Sequence, residues 1–245
     1  MLTRRGLILL GAAVGAVYGG GMLAQRVFQP DLEFEPIPGL PGYRRLTAGD
    51  VSTGRNKAFM DVSDGPGDAL SRSLDCEALF GTGGSDDEVP LAYFSDARCI
   101  FCRTISPMIK EFDRNGGVNV TWHELPLLGQ ASLVSARASL AAGLQGAYAA
   151  FHHRLMGTPF LPNDAYLRRL AQEEEIDGDR LLRDMDGATV DRQLTDTAAL
   201  AKQLGFYGTP GLVVGRTVIL GSITERQLER ILSWERIELE SHPCR

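Results

Sequence analysis

Val89-Pro90-Leu91-Ala92-Tyr93-Phe94-Ser95-Asp96-Ala97-Arg98-Cys99-Ile100-Phe101-Cys102 changes character as it runs. Val89 to Phe94 is a short apolar run rich in aromatic and β-branched character, which predicts a strand. Beyond Cys102, the apolar residues Ile105, Met108, Ile109 and Phe112 recur at helical spacing until Asn115-Gly116-Gly117 stops them. The two cysteines therefore fall where a strand hands over to a helix. A helix N-terminus carries unpaired N–H groups and the positive end of the macrodipole, and both favour a thiolate on the first cysteine. Cys99 is the expected nucleophile. Cys102 lies about one turn deeper, within reach of a mixed disulfide formed at Cys99, and is the expected resolving thiol.

Outward from this unit, Val118 to Leu125 reads as a second strand and Gln130 to about Gly157 as an Ala- and Leu-rich helical stretch. Asn163-Asp164 opens a helical run through Ile176, Asp177-Gly178 breaks it, Asp179 to Met185 and Thr189 to Leu204 follow, and Gly205 is a stop. Leu212 to Val214 and Thr217 to Leu220 flank Gly215-Arg216 as a hairpin, and Thr224 to Arg236 closes the chain as an amphipathic helix. On the N-terminal side, Gly81 to Glu88 is a Gly- and Asp-rich linker. Residues 43 to 80 show no clear period apart from Leu70, Leu74 and Leu79, which predict a short helix around Cys76. Before them, Pro30, Pro36, Pro38, Gly39, Pro41 and Gly42 favour an extended tether.

A C-x-x-C pair also supplies half of many zinc sites, but zinc needs two further ligands. The rest of the chain offers only the isolated Cys76, Cys244, His123 and His242 and the adjacent His152 and His153, with no second pair at ligand spacing, so no metal is expected. Neighbouring helical residues point about 100° apart, which makes His152 and His153 one packed and one solvated histidine. His123 reads as an ordinary strand residue. Gly208-Thr209-Pro210-Gly211, alone a turn, stands just before the strand at Leu212.

A strand, C-x-x-C at a helix start, a helical insertion, Gly-Thr-Pro, a hairpin and a last helix resemble, in that order, the DsbA-like family of thioredoxin-fold proteins from about Pro90 to Trp234. The resemblance implies an α/β thioredoxin fold with an inserted helical subdomain (about 130–204) in a domain over 89–240. It implies thiol–disulfide exchange with protein substrates, without a cofactor. Pro210 would be the family's cis-proline beside the cysteines, and Thr209 would present backbone for antiparallel pairing with a substrate strand. Ile100 and Phe101 would meet the substrate and tune the thiolate, although they lack the Pro, His, Gly or Tyr usual there. Tyr93 stands where thioredoxin-like proteins often carry a buried acid. Asp96 reads as a solvated turn acid or as a proton relay, and Arg98 as a solvated cation or as an electrostatic support for the thiolate. The rival from another class is a binding module that keeps the fold and handles a metal.

With 245 residues, 44% of them hydrophobic, the chain can bury a sizeable core. A net charge of -6 leaves no basic excess for nucleic acid, which is set aside as a partner. Arg4 and Arg5 precede an apolar stretch from Gly6 to Ala24, which as a helix would rise about 28 Å against a hydrocarbon core of about 30 Å. Residues 1–25 are therefore an anchor or a cleaved signal, followed by a tether over 26–43 and an N-terminal extension over 44–88. Arginines before the apolar stretch and acids after it, at Asp31, Glu33 and Glu35, place the bulk outside the cytoplasm, in a periplasmic or other oxidising compartment. There the two spare thiols are expected to pair, Cys76 with Cys244, pinning the extension to the tail. The expected partners are protein thiols and disulfides and a membrane or soluble redox partner that resets the pair. A monomeric oxidase is favoured over the alternative of a reductase or isomerase of the same fold, because isomerases of the family commonly carry separate dimerisation modules.

Overall fold

A computed structural model describes residues 32–54, 74–85, 87–159, 162–239 and 244. The chain divides into two compact units, 1–33 and 34–245, and almost everything described belongs to the second. The apolar stretch Gly6 to Ala24, with Arg4 and Arg5 before it, lies outside the described residues, as does His242. Among the described residues no helix is long and apolar enough to cross a membrane.

The elements follow one another as β1 (Glu35–Pro36), β2 (Arg44–Thr47), α1 (Cys76–Phe80), β3 (Val89–Ser95), α2 (Ile100–Asn115), β4 (Val118–Glu124), α3 (Gln130–Gly143), α4 (Tyr148–Gly157), α5 (Asp164–Glu173), α6 (Gly178–Asp184), α7 (Ala188–Gln203), β5 (Gly211–Val214), β6 (Thr217–Leu220) and α8 (Glu225–Ile237). The strands make one mixed sheet in the order β1-β2-β6-β5-β3-β4. β3 runs parallel to β4, with Val89 opposite Val118, and antiparallel to β5, with Tyr93 opposite Leu212. Gly215 takes the positive φ that the tight turn between β5 and β6 demands. β3 is apolar on both faces because both are covered, and Leu91, Tyr93 and Phe94 are fully buried.

From Phe34 onward the structure departs from the reading of a tether followed by an extension without period. Ile37, Leu40 and Tyr43 are buried in the main core with Leu79, Phe94 and Phe206, and β2 adds to the sheet in parallel beside β6, Arg44 opposite Thr217. Pro and Gly here make turns that fold back, with Leu40 N–H donating to Ile37 O and Tyr43 N–H to Leu40 O. What holds the strand is remote in sequence. The Arg44 guanidinium donates to Glu235 Oε1 at 2.9 Å and to Thr217 Oγ1 at 2.9 Å, and Arg45 donates to Leu204 O at 3.0 Å.

The helical insertion, α3 to α7, has its own core, in which Phe151, Leu155, Leu167, Leu170 and Leu194 pack against the alanines of α3. The single stretch read from Gln130 to Gly157 is two helices, because Gly146 turns the chain at φ 82° between them. At α8, Thr224 and Gln227 form a reciprocal capping box that satisfies two orphan N–H groups.

Candidate active site

Cys99 is the N-cap of α2: its backbone is extended (φ -73°, ψ 119°) and its sulfur accepts the N–H of Cys102 at 3.2 Å. A serine or aspartate oxygen commonly does this work at a helix start, and here a sulfur is aimed at the unpaired N–H groups instead. Across the site, the Cys99 thiol donates to the carbonyl of Thr209 at 3.3 Å, joining segments 110 residues apart. The Thr209-Pro210 peptide is cis. Cys99 and Cys102 are both thiols in this structure, both fully buried, and pack with Met156, Phe101 and Leu128. Ile100, by contrast, is 66% exposed, and Tyr207, just before the Gly208 turn, is 58% exposed.

The two thiols are pushed apart in acidity. The hydrogen bond from the Cys102 thiol, helped by the Ser52 hydroxyl and the Cys102 N–H, outweighs burial and brings Cys99 down to about 6. Burial, then the bond to Cys99 and its charge, push Cys102 well above the ordinary thiol range. Such a pair holds its first sulfur as a thiolate near neutral pH and its second as a neutral thiol. That asymmetry lets the first sulfur attack, or leave from, a disulfide while the second waits.

The surroundings correct and extend the sequence reading. Asp96 is not a solvated turn acid: it is buried, and its carboxylate accepts the N–H groups of Arg98 at 2.7 Å, Leu127 at 2.7 Å and Leu128 at 2.9 Å. It clamps the loop after β4 to the loop that delivers Cys99. Burial raises its pKa above the ordinary carboxyl value, opposed by those hydrogen bonds and one from Ser132. Arg98 is held in this turn through its own N–H. Tyr93, at the position where thioredoxin-like proteins often carry a buried acid, donates its hydroxyl to Cys102 O at 3.3 Å and shares a bond with Ser106 Oγ at 3.0 Å. His152 is packed as read, and it brings in residues not singled out: its Nδ1 is 2.7 Å from Glu124 Oε1, which also accepts the Tyr148 hydroxyl at 3.0 Å. His153 is half-buried rather than solvated, and burial, with the charges of His152 and Lys110, lowers it to about 4. His123 is buried, stacked 4.4 Å from Phe94, with Nε2 2.9 Å from Leu79 O.

Ser52, in the stretch without period, carried no signal in sequence. It pairs antiparallel with Thr209, its N–H donating to Thr209 O at 2.8 Å and its carbonyl accepting from Thr209 N–H at 3.0 Å. Away from this pair, Cys76 and Cys244 are joined with Cα atoms 5.3 Å apart, beside the Tyr43 hydroxyl, 3.1 Å from Cys244 Sγ. Among the described residues no group of three or more His, Cys, Asp or Glu side chains is placed to hold a metal ion.

Comparison with known proteins adds the family. A DSBA-like thioredoxin domain model matches residues 91–233. A thioredoxin-like oxidoreductase from Silicibacter pomeroyi DSS-3 is 33% identical, over 66% of this chain and 98% of its own, with a TM-score of 0.60. The thiol-disulfide exchange protein alpha-DsbA2 from Wolbachia pipientis shares the fold at 23% identity, over 64% and 90% of the two chains, with a TM-score of 0.60. A periplasmic thioredoxin-like protein from Salmonella enterica serovar Typhimurium shares it at 22% identity, over 66% and 95%, with a TM-score of 0.56. No curated protein matches. With the matched domain running from β3 into α8, around Cys99 at a helix start and the cis Thr209-Pro210 peptide, the chain belongs to the DsbA-like thioredoxin-domain family of thiol–disulfide oxidoreductases.

Proposed function

We propose that the chain is an exported oxidase that passes the Cys99–Cys102 disulfide to protein thiols. A substrate thiolate attacks Cys99 Sγ, the Cys99–Cys102 bond breaks, and Cys102 takes up a proton. A second substrate thiol then attacks the substrate sulfur of the mixed disulfide and expels Cys99 as a thiolate. The pair, now reduced, is reset by a membrane or soluble redox partner. Ile100, exposed beside the pair, and Phe101 meet the substrate, while Thr209 and Pro210 shape the docking edge. Gly6 to Ala24 serve export, as an anchor or a cleaved signal, and Cys76–Cys244 is a structural bridge suited to an oxidising compartment. The enzyme works as a monomer, since one cysteine pair with its Thr209 edge suffices for exchange.

One observation carries the direction: Cys99 is held at about 6, so it leaves easily. At pH 7 such a thiolate stabilises the reduced pair by about 1.4 kcal/mol over an ordinary thiol, about 30 mV toward the oxidising side. The test is the reduction potential of Cys99–Cys102 against glutathione. A value above about -220 mV is expected of an oxidase, and one below it would make the chain a reductase.

A further inference from the structure

Cys99 sits in a reactive pair and yet is fully buried. Disulfide exchange needs a partner sulfur at Cys99 Sγ, in line with the bond that breaks, so whatever covers the sulfur has to move. Part of the cover is the chain's own N-terminal segment. Ala48 N–H donates to Leu220 O at 3.2 Å, Gly49 N–H to Ser222 O at 2.9 Å, and Ser222 N–H to Asp50 O at 3.0 Å, which lays the segment along the end of β6. It then crosses the site. Ser52 makes both backbone bonds to Thr209, the residue whose carbonyl receives the Cys99 thiol. Gly54 passes so close to Leu127 that an added Cβ would stand 1.9 Å from its carbonyl oxygen, and one on Gly208 would stand 2.8 Å from Ser52 O. Both backbone groups of Thr209, and a place beside Cys99, are thus taken by a segment of this same chain.

We infer that Asp50 to Gly54 is a tethered internal competitor, with Ser52 standing where a cysteine-bearing extended segment of a protein substrate would pair, so that exchange waits on its release. The inference rests on Cys99–Cys102 being the reactive pair. Its hold is built to yield: Ser52–Thr209 is an isolated bridge rather than a ladder, and Thr53 is exposed. The Ser52 hydroxyl beside Cys99 also helps hold the thiolate, so the strap keeps the sulfur ionised while denying access to it. A competitor of this kind raises the apparent KM by the reciprocal of the fraction of molecules in which it is open and leaves the saturated rate alone.

The test uses the full-length protein oxidising a peptide with two cysteines, with oxidised glutathione present as the terminal oxidant that restores the Cys99–Cys102 disulfide. Ser52→Pro and Ser52→Ala both remove the hydroxyl beside Cys99, so the strap is read from the difference between them: Ser52→Pro, which also loses the N–H bonded to Thr209, should show a KM about fivefold below that of Ser52→Ala, which keeps the backbone pair, at a kcat equal to that of Ser52→Ala. Equal KM values for Ser52→Pro and Ser52→Ala would overturn the inference. A second measurement reads the return of the segment to Cys99 after a single release. In Ser52→Cys combined with Cys102→Ser, Cys99 thiolate attacks oxidised glutathione and expels one glutathione thiol. The new thiol at position 52 should then attack Cys99 Sγ, expel the second glutathione and leave a disulfide between positions 52 and 99 within one molecule. Glutathione retained on Cys99 beside a free thiol at 52 would also overturn it. Cys99→Ser separates the two readings: turnover surviving that change would refute the reactive pair itself, while its loss beside equal KM values for Ser52→Pro and Ser52→Ala would refute only the strap.

Discussion

At the scale of single residues the chemistry is set by where two identical side chains sit on one helix. Cys99, at the cap, accepts an N–H and lies beside other donors, while Cys102, three residues on, is sealed between α2 and its surroundings. A thiol held at about 6 against an ordinary 8.5 is the depressed case. Its contribution to the stability of the reduced protein is therefore absent at low pH, grows as pH rises through about 6, and is complete near the unfolded thiol's 8.5. Alkylation of the reduced protein with iodoacetamide should follow the same titration, with a midpoint near 6 and labelling of Cys99 ahead of Cys102. A midpoint near 8.5, or faster labelling of Cys102, would show that the cap does not activate Cys99.

At the scale of elements, the edge of the sheet depends on one buried carboxylate. Glu235 on α8 is nearly inaccessible and gathers Arg44 from β2, Thr217 Oγ1 from β6 at 2.5 Å, and the N–H of Arg216 at 3.1 Å. It joins a strand, its neighbour, a hairpin turn and a helix at a single point. Glu235→Ala removes the buried acceptor of the Thr217 hydroxyl and the Arg216 N–H, while Arg44 keeps Thr217 Oγ1 and Glu238, and should cost about 3 kcal/mol in urea unfolding, the penalty of leaving buried donors unmet. Exchange activity of the folded fraction should be unchanged, since Glu235 touches neither cysteine nor the Thr209 turn. An unfolding midpoint equal to that of the parent would mean that β2 is held by packing of Leu46 and Tyr43 alone.

For the molecule as a whole, the joining of Cys76 to Cys244 closes a sequence separation of 168 residues. In the chain-entropy picture such a closure stabilises by about 5 kcal/mol by limiting the unfolded chain. Cys244 packs against the main core and the reactive pair packs with Met156, so the bridge and the reactive pair belong to different clusters. Cys76→Ser should accordingly lower the Tm by about 10 to 20 °C while exchange below that temperature stays near the parent rate. Calorimetry beside an exchange assay decides it: an unmoved Tm would remove the structural role, and lost activity at low temperature would tie the bridge to the site.

Local patterns carried the middle of this protein. The change of period at Val89 to Cys102, the hairpin around Gly215, the start of the last helix at Thr224 and the extent of the helical insertion were legible because strands, turns and helix ends are written in neighbouring residues. The approach of the Thr209-Pro210 turn to the cysteines was reached by resemblance, since nothing near Pro210 in sequence points to Cys99. Other features had no local trace. Asp96 looked like a turn acid because its partners, Leu127 and Leu128, come from a different loop, and Arg44 looked like an extension residue because Glu235 lies 191 positions away. Ser52 pairs with Thr209 through backbone atoms that every residue shares, so no side-chain pattern could announce it. From Val89 onward, sequence by itself settled which segments become strands and which become helical, and where the two thiols fall on them, because those depend on contacts a few residues long. Only the tertiary structure decided which remote groups close over the thiols, because burial and pairing across more than a hundred residues are properties of the packed chain.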